Sequence, residues 1–235
     1  LTRRTPFSGG SGALVAAPQA LDAALWLGLG LLAVTAACGM ALLWALPAAS
    51  LWGLLVLGGL GGVLVLAYTP WLTRQPLLCL LAPGLGFGPL MVVGSVLALA
   101  DAPDQALIAS ALWVSLLPWC QVSGLLLLNQ FPDVDADRRV GRRHVPMVWG
   151  RPRAARLLSL LLLAGPASAV LGIALGALPV GAALGMLTAP LACWVAVGAL
   201  RHADDLPALL PTLGRNVVLC LLTPSLTALG AVLWP

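Results

Sequence analysis

The residues that could do chemistry in this chain are concentrated between Asn129 and Gly150: N-Q-F-P-D-V-D-A-D-R-R-V-G-R-R-H-V-P-M-V-W-G. Three of the eight acids lie here, Asp133, Asp135 and Asp137, and Arg138, Arg139, Arg142 and Arg143 follow at once. Read as a helix, the stretch puts Asp133 and Asp137 on one face, one turn apart. Asp135 then points about 200° away from Asp133. Two carboxylates that close repel each other unless a cation sits between them. Arginine can fill that role, and so can a hard metal ion. Mg²⁺ is usually held by one or two carboxylates plus substrate phosphates, not by an all-protein cage. One reading is therefore a site for a metal-bound phosphate, with Asp133 and Asp137 as ligands. The other is a solvated helix end whose charges answer the helix dipole. Spacing alone leaves both open.

Everything around this stretch is apolar. The chain has 235 residues, 60% of them hydrophobic and only 9% charged, where a soluble domain carries about 25% charged residues. Mean hydropathy is +1.02. This composition specifies an integral membrane protein with the lipid bilayer as its surroundings. Every acid is Asp and every base is Arg. The net charge of +4 is no nucleic-acid signal, because the arginines sit in a few loops between apolar runs. The five cysteines each lie inside an apolar run without a C-x-x-C pair, and read as small buried hydrophobes. Leu1 is not an initiator residue, and the Leu-Thr-Arg-Arg start leads into a Gly/Ser stretch, not a signal peptide. The chain reads as a fragment or a natural truncation.

Residues 1–20 form a polar stretch with the run Pro6 to Gly12, too rich in Gly and Ser for a helix. Seven apolar spans follow, at about 21–46, 50–68, 77–100, 106–131, 157–176, 179–200 and 209–234. Each is near the roughly 20 residues that cross about 30 Å of hydrocarbon. Their uniform apolarity predicts helices, since barrel strands would alternate. The expected fold is all-α, a polytopic bundle of about seven transmembrane helices forming one membrane-embedded domain over 1–235. Gly58, Gly59, Gly61 and Gly62 read as a surface for close helix–helix approach. Between the spans lie the loop Thr69–Pro76 with Arg74, a long charged loop at 132–156, and the loop Arg201–Pro207.

Arginine placement gives a topology. All twelve fall in alternate flanking segments: the N-terminus, 69–76, 132–156 and 201–216. The connections at 47–49, 101–105 and 177–178 carry none. The positive-inside rule then puts the Arg-bearing end in the cytoplasm, in a bacterial inner or plasma membrane. Trp44 and Trp52 read as belt residues at one surface, Trp71 and Trp149 at the other, and Trp113 as a packing residue. Tyr68–Arg74 and Asn129–Arg143 share the cytoplasmic side. A site there takes a charged head group from water and a hydrocarbon tail from the bilayer.

Here the residues become familiar. Asn129, Asp133, Asp137, Gly141 and Gly150 resemble the second aspartate-rich motif of the UbiA-type membrane prenyltransferases, N-N-x-R-D-x-x-x-D-x-x-x-G-K-x-T, with a later glycine. Tyr68-Thr69-Pro70 followed by Arg74 is similar to that family's Tyr…Pro…Lys/Arg loop. Phe87-Gly88-Pro89-Leu90-Met91 and Arg4 to Ser11 resemble runs of its menaquinone-pathway branch, the 1,4-dihydroxy-2-naphthoate polyprenyltransferases. The matches come in family order, and the seven spans map onto the last seven of the family's nine. Gln130 replaces the second Asn, Pro132 the Arg, Arg142 the Lys and His144 the Thr. Arg142 keeps the charge but replaces a point charge with a fork. The family's first motif, N-D-x-x-D-x-x-x-D, is absent from this sequence and would precede residue 1 with two further helices.

The resemblance implies Mg²⁺-dependent transfer of a polyprenyl group from its diphosphate to an aromatic acceptor, 1,4-dihydroxy-2-naphthoate or a related quinone precursor. It implies Asp133 and Asp137 as metal ligands and catalytic carboxylates. Asn129, Tyr68, Arg74 and Arg142 are the expected diphosphate contacts. Arg138, Arg139, Arg151, Arg153 and Arg156 read as membrane anchors and His144 as a loop residue. The competing readings are an inactive remnant and a non-enzymatic bundle or transporter. A transporter favours ionisable groups near the midplane and internal repeats, and neither is apparent. The metal-binding CDP-alcohol phosphotransferases require D-G-x-x-A-R, which Asp133–Arg143 lacks.

Overall fold

The computed structural model describes residues 13–46 and 48–235. Among them are seven helices long and apolar enough to cross a membrane. After short helical turns at Ala13–Ala16 and Pro18–Ala20 come α1 (Leu21–Ala45) and α2 (Ala48–Tyr68). The third crossing is composite: α3 (Pro76–Leu85), a π-helical turn at Gly86–Leu90, and α4 (Met91–Leu99). Then come α5 (Gln105–Arg139), the short α6 (Val145–Trp149) and α7 (Arg151–Ala174). A 3-10 segment (Val180–Thr188) leads into α8 (Ala189–Arg201), and α9 (Leu206–Leu233) closes the chain. The all-α membrane bundle expected from composition is the fold observed. The Arg4–Ser11 run and Pro47 lie outside the described residues.

α5 is the axis of the bundle. It packs against α3, the π turn and α4 on one side, and against α7 and α9 on the other. Leu127, Leu128 and Phe131 are fully buried against Leu158, Val195 and Leu209. Asp104 caps its first turn, the carboxylate accepting from Leu107 N at 2.8 Å, as an N-cap acid should. The charged loop expected at 132–156 is corrected by the structure. α5 runs on through Pro132 to Arg139, α6 fills 145–149, and α7 starts at Arg151. At 35 residues the helix is about 52 Å long, against about 30 Å of hydrocarbon. The helix is therefore longer than one crossing needs, and its acidic end is ordered helix.

A second correction concerns glycine. Nothing lies within 4 Å of a Cβ built on Gly58, Gly59, Gly61 or Gly62. These residues line an open apolar groove of about 700 Å³ between α1, α2 and α4. The close approaches are elsewhere. A Cβ on Gly88 would stand 2.6 Å from Ser115 O and 2.8 Å from Trp119 Cβ, and one on Gly84 would meet Ser123 Oγ and the Trp119 carbonyl. The third crossing thus lies backbone-close on α5, held by van der Waals contact, as expected where lipid removes the hydrophobic drive between helices. Gly181 and Gly230 bring the 3-10 segment equally close to α9.

The tryptophans divide between the surface and the interior. Trp44, Trp52, Trp71 and Trp149 are exposed, and Trp113 packs on Ala169 and Leu178. Arg215 belongs to α9, not to a loop. It lies over the Trp194 ring of α8 at 3.9 Å, a cation–π contact that holds the charge inside the span.

Candidate active site

The polar site is built by the end of α5. The helix stops in a Schellman cap: Arg142 N donates to Asp137 O at 3.1 Å and Gly141 N to Arg138 O at 3.3 Å. Gly141 has φ +75°, the left-handed conformation that this cap requires and glycine adopts freely. The reversal folds the chain back on the last turn. Arg142 Nη1 reaches Asp137 Oδ1 at 3.3 Å. His144 Nε2 stands 3.5 Å from Asp137 Oδ2, at the outer limit of hydrogen-bonding distance. Two residues that follow the turn thus face one carboxylate, Arg142 bonded to Oδ1 and His144 beside Oδ2.

The neighbouring loop is tied to the same place. Arg143 N donates to Thr73 O at 2.8 Å, and Thr73 Oγ1 donates to Thr69 O at 2.8 Å. This brings Tyr68, at the end of α2, to the acidic helix. Its hydroxyl sits 3.5 Å from Cys79 O, and Gln130 Nε2 donates to Cys79 Sγ at 3.5 Å. The close packing of Gly84 and Gly88 on α5 sets the height at which α3 presents Cys79.

The result is one polar cavity of about 250 Å³. Tyr68, Asn129, Asp133, Asp137 and Arg142 all line it, together with Thr73, Cys79, Gln130 and His144. Five of the six residues singled out from sequence are therefore brought together. Arg74 is exposed at the end of its loop and does not line the cavity. Asp135 is exposed 3.9 Å from Arg138, facing away as helical spacing predicts. Asn129 Oδ1 and Gln130 Oε1 are buried acceptors with no hydrogen-bond partner among the described residues. Such atoms are rare in a finished fold and point to a missing cation or donor.

Sequence reasoning missed His144 and Gln130. His144 lies in the loop before α6, as read from the sequence, but is buried and stands 3.5 Å from Asp137. A signal for it existed in Gly141 after a basic last turn, which marks a helix stop and a return of the chain. Arg151 likewise is more than an anchor. Its Nε and Nη2 donate to Phe131 O at 3.3 and 3.1 Å, clamping the start of α7 to α5 beside the site. Gly150 precedes it at φ +83° and ψ 153°, a conformation essentially confined to glycine.

One apolar space adjoins the polar cavity, and a second adjoins the first. The first, of about 380 Å³ and lined by Leu64, Val65, Pro83, Phe87 and Met91, shares Tyr68 with the polar cavity. That space shares Val65 and Met91 with the α1–α2–α4 groove. Tyr68 stands between the charged chamber and the first of these apolar spaces.

Among the described residues no group of three or more His, Cys, Asp or Glu side chains could hold a metal by themselves. The cavity instead offers two carboxylates and an amide oxygen, the partial donor set suited to a cation that arrives with phosphate oxygens. No curated protein and no solved structure matches the chain. The model of the UbiA prenyltransferase family matches residues 14–209, so the chain belongs to the UbiA prenyltransferase family.

Proposed function

We propose that the protein transfers a polyprenyl group from polyprenyl diphosphate to an aromatic acceptor, with the diphosphate in the Asp133–Asp137 cavity. Membership in the family implies prenyl transfer to aromatic acceptors. The observation that carries the finer reading is the junction at Tyr68, where a charged chamber meets an apolar track. A polyprenyl diphosphate has that same division of polarity. The resemblance of Phe87–Met91 to the menaquinone branch favours 1,4-dihydroxy-2-naphthoate as the acceptor. The Arg-bearing end, with the cavity, faces the cytoplasm by the positive-inside rule.

The reaction breaks the allylic C–O bond, forms a bond from that carbon to a ring carbon, and rearomatises by loss of a proton. No protein nucleophile is needed. The barrier falls by stabilising the charge that develops on the departing diphosphate. The residues fit Mg²⁺: Asp133, Asp137 and Asn129 Oδ1 would hold it, and when bound it would supply Lewis-acid stabilisation of the departing diphosphate. Arg142 and the Tyr68 hydroxyl donate to diphosphate oxygens. Arg74, exposed next to the cavity-lining Thr73, contributes long-range attraction. The apolar track takes the prenyl tail and excludes water from the carbocation.

The test is substitution of the carboxylates one at a time. Asp133→Ala and Asp137→Ala should each lower metal-dependent turnover at least about 10³-fold, the scale of losing a preorganised charge stabiliser. Turnover retained in both variants would sink the assignment. Arg74→Ala should weaken diphosphate affinity only about twofold, as an exposed charge does.

A further inference from the structure

Asp137 has two holders of opposite character. His144 is buried, with its side chain only 2% exposed, and its position is fixed by the fold. Arg142 is 44% exposed on its side chain and lies just past a glycine turn, so it can leave without disturbing a core. Its guanidinium takes Oδ1, one of the oxygens that the proposed function gives to a metal ion. A cation that approaches Asp137 through Oδ1 competes with this arginine for the oxygen and meets its repulsion.

We infer that Arg142 is a built-in competitor for the metal position, so that divalent cation and diphosphate bind only weakly alone and strongly together. The inference rests on the proposed function of the same cavity. With diphosphate present, the displaced guanidinium finds a better partner within the same 250 Å³ chamber, because its planar fork matches phosphate oxygens in pairs. The anion thus removes the competitor and the cation takes its place. The coupling is reciprocal: whatever factor diphosphate gives the metal, the metal gives diphosphate. His144 stays on Oδ2 throughout and keeps the carboxylate aimed into the chamber. The consequence for the enzyme is a gate against ions that come without substrate.

The experiment uses the purified chain in detergent micelles, Mn²⁺ followed by electron paramagnetic resonance, and inorganic pyrophosphate as the anion. In the unsubstituted protein, pyrophosphate should tighten Mn²⁺ binding, beyond its complexation with Mn²⁺ in solution. Arg142→Gln should tighten binding of Mn²⁺ alone by about two- to fivefold, the scale of a half-exposed ion pair. The same variant should weaken pyrophosphate binding in the presence of Mn²⁺ by about tenfold, the scale of a charged hydrogen bond. Arg142→Lys should restore most of the pyrophosphate affinity and part of the block on Mn²⁺. Opposite signs in the two titrations are the signature, because a merely destabilised site would weaken both. Mn²⁺ binding that is unchanged or weaker in Arg142→Gln, with pyrophosphate weakened, would overturn the competition and leave Arg142 a diphosphate contact only. Mn²⁺ binding that Asp133→Ala does not remove would instead show that the cavity is not the metal site, and the proposed function would fall with it.

Discussion

Two glycine-rich regions of this molecule use the same residue for opposite ends. Gly84 and Gly88 press the third crossing against α5 so closely that even a methyl group has no room. Gly58, Gly59, Gly61 and Gly62 face nothing within 4 Å and form one wall of an apolar groove. In the first region the missing side chain is a contact; in the second it is a space. Both patterns read alike in sequence, since a small residue is silent about what stands across from it. The difference also divides labour. The tight region sets Cys79 against Gln130 near the acidic end of α5, while the open one leaves an apolar volume unfilled by protein.

The comparison can be broken most forcefully at Gly88. Gly88→Ala puts a methyl 2.6 Å from the Ser115 carbonyl, where only the backbone can yield, and should cost about 1–3 kcal/mol. Thermal unfolding in detergent should show a clear fall in midpoint; an unchanged midpoint would mean that the two helices are not locked there. Gly150→Ala tests a different demand on glycine, one set by φ +83° and ψ 153° and not by a neighbour. A loss of about 1–3 kcal/mol is expected, with the start of α7 loosened, and hydrogen exchange at Ala154 and Ala155 would detect it. At Gly61 the sign should reverse. Gly61→Ala should leave stability unchanged or raise it by up to about 1 kcal/mol. Gly61→Leu should keep the fold but narrow the groove, raising KM for long polyprenyl diphosphates about tenfold, the scale of one misfit side chain, with short ones unaffected. A fall in stability for Gly61→Ala would erase the distinction between the two regions.

Much of the fold was legible because the bilayer imposes a length. The seven spans end within a few residues of the helices observed, except around the site. There Pro132 and the run of charges read as a loop, yet α5 continues to Arg139. Proline removes one hydrogen bond and does not forbid a helix that its neighbours support, and Arg151 on the Phe131 carbonyl is part of that support. The acidic pair was legible from helical spacing, and Asn129, Tyr68 and Arg142 from the resemblance. His144 and Gln130 were not, because what matters at these positions is contact across the fold: His144 with Asp137 after the chain reverses, Gln130 with Cys79 on another helix. Arg74 marks the limit in the other direction. Its loop reaches the cavity through Thr73, while its own side chain remains outside.

The joint between the two polar loops is the bond from Arg143 N to Thr73 O, and it involves no side chain at position 143. Such a joint is indifferent to which residue stands there, with one exception, since proline has no N–H to offer. Side-chain replacements at position 143 other than proline therefore leave this bond available, and the register of the two halves of the cavity at this point is carried by the main chain.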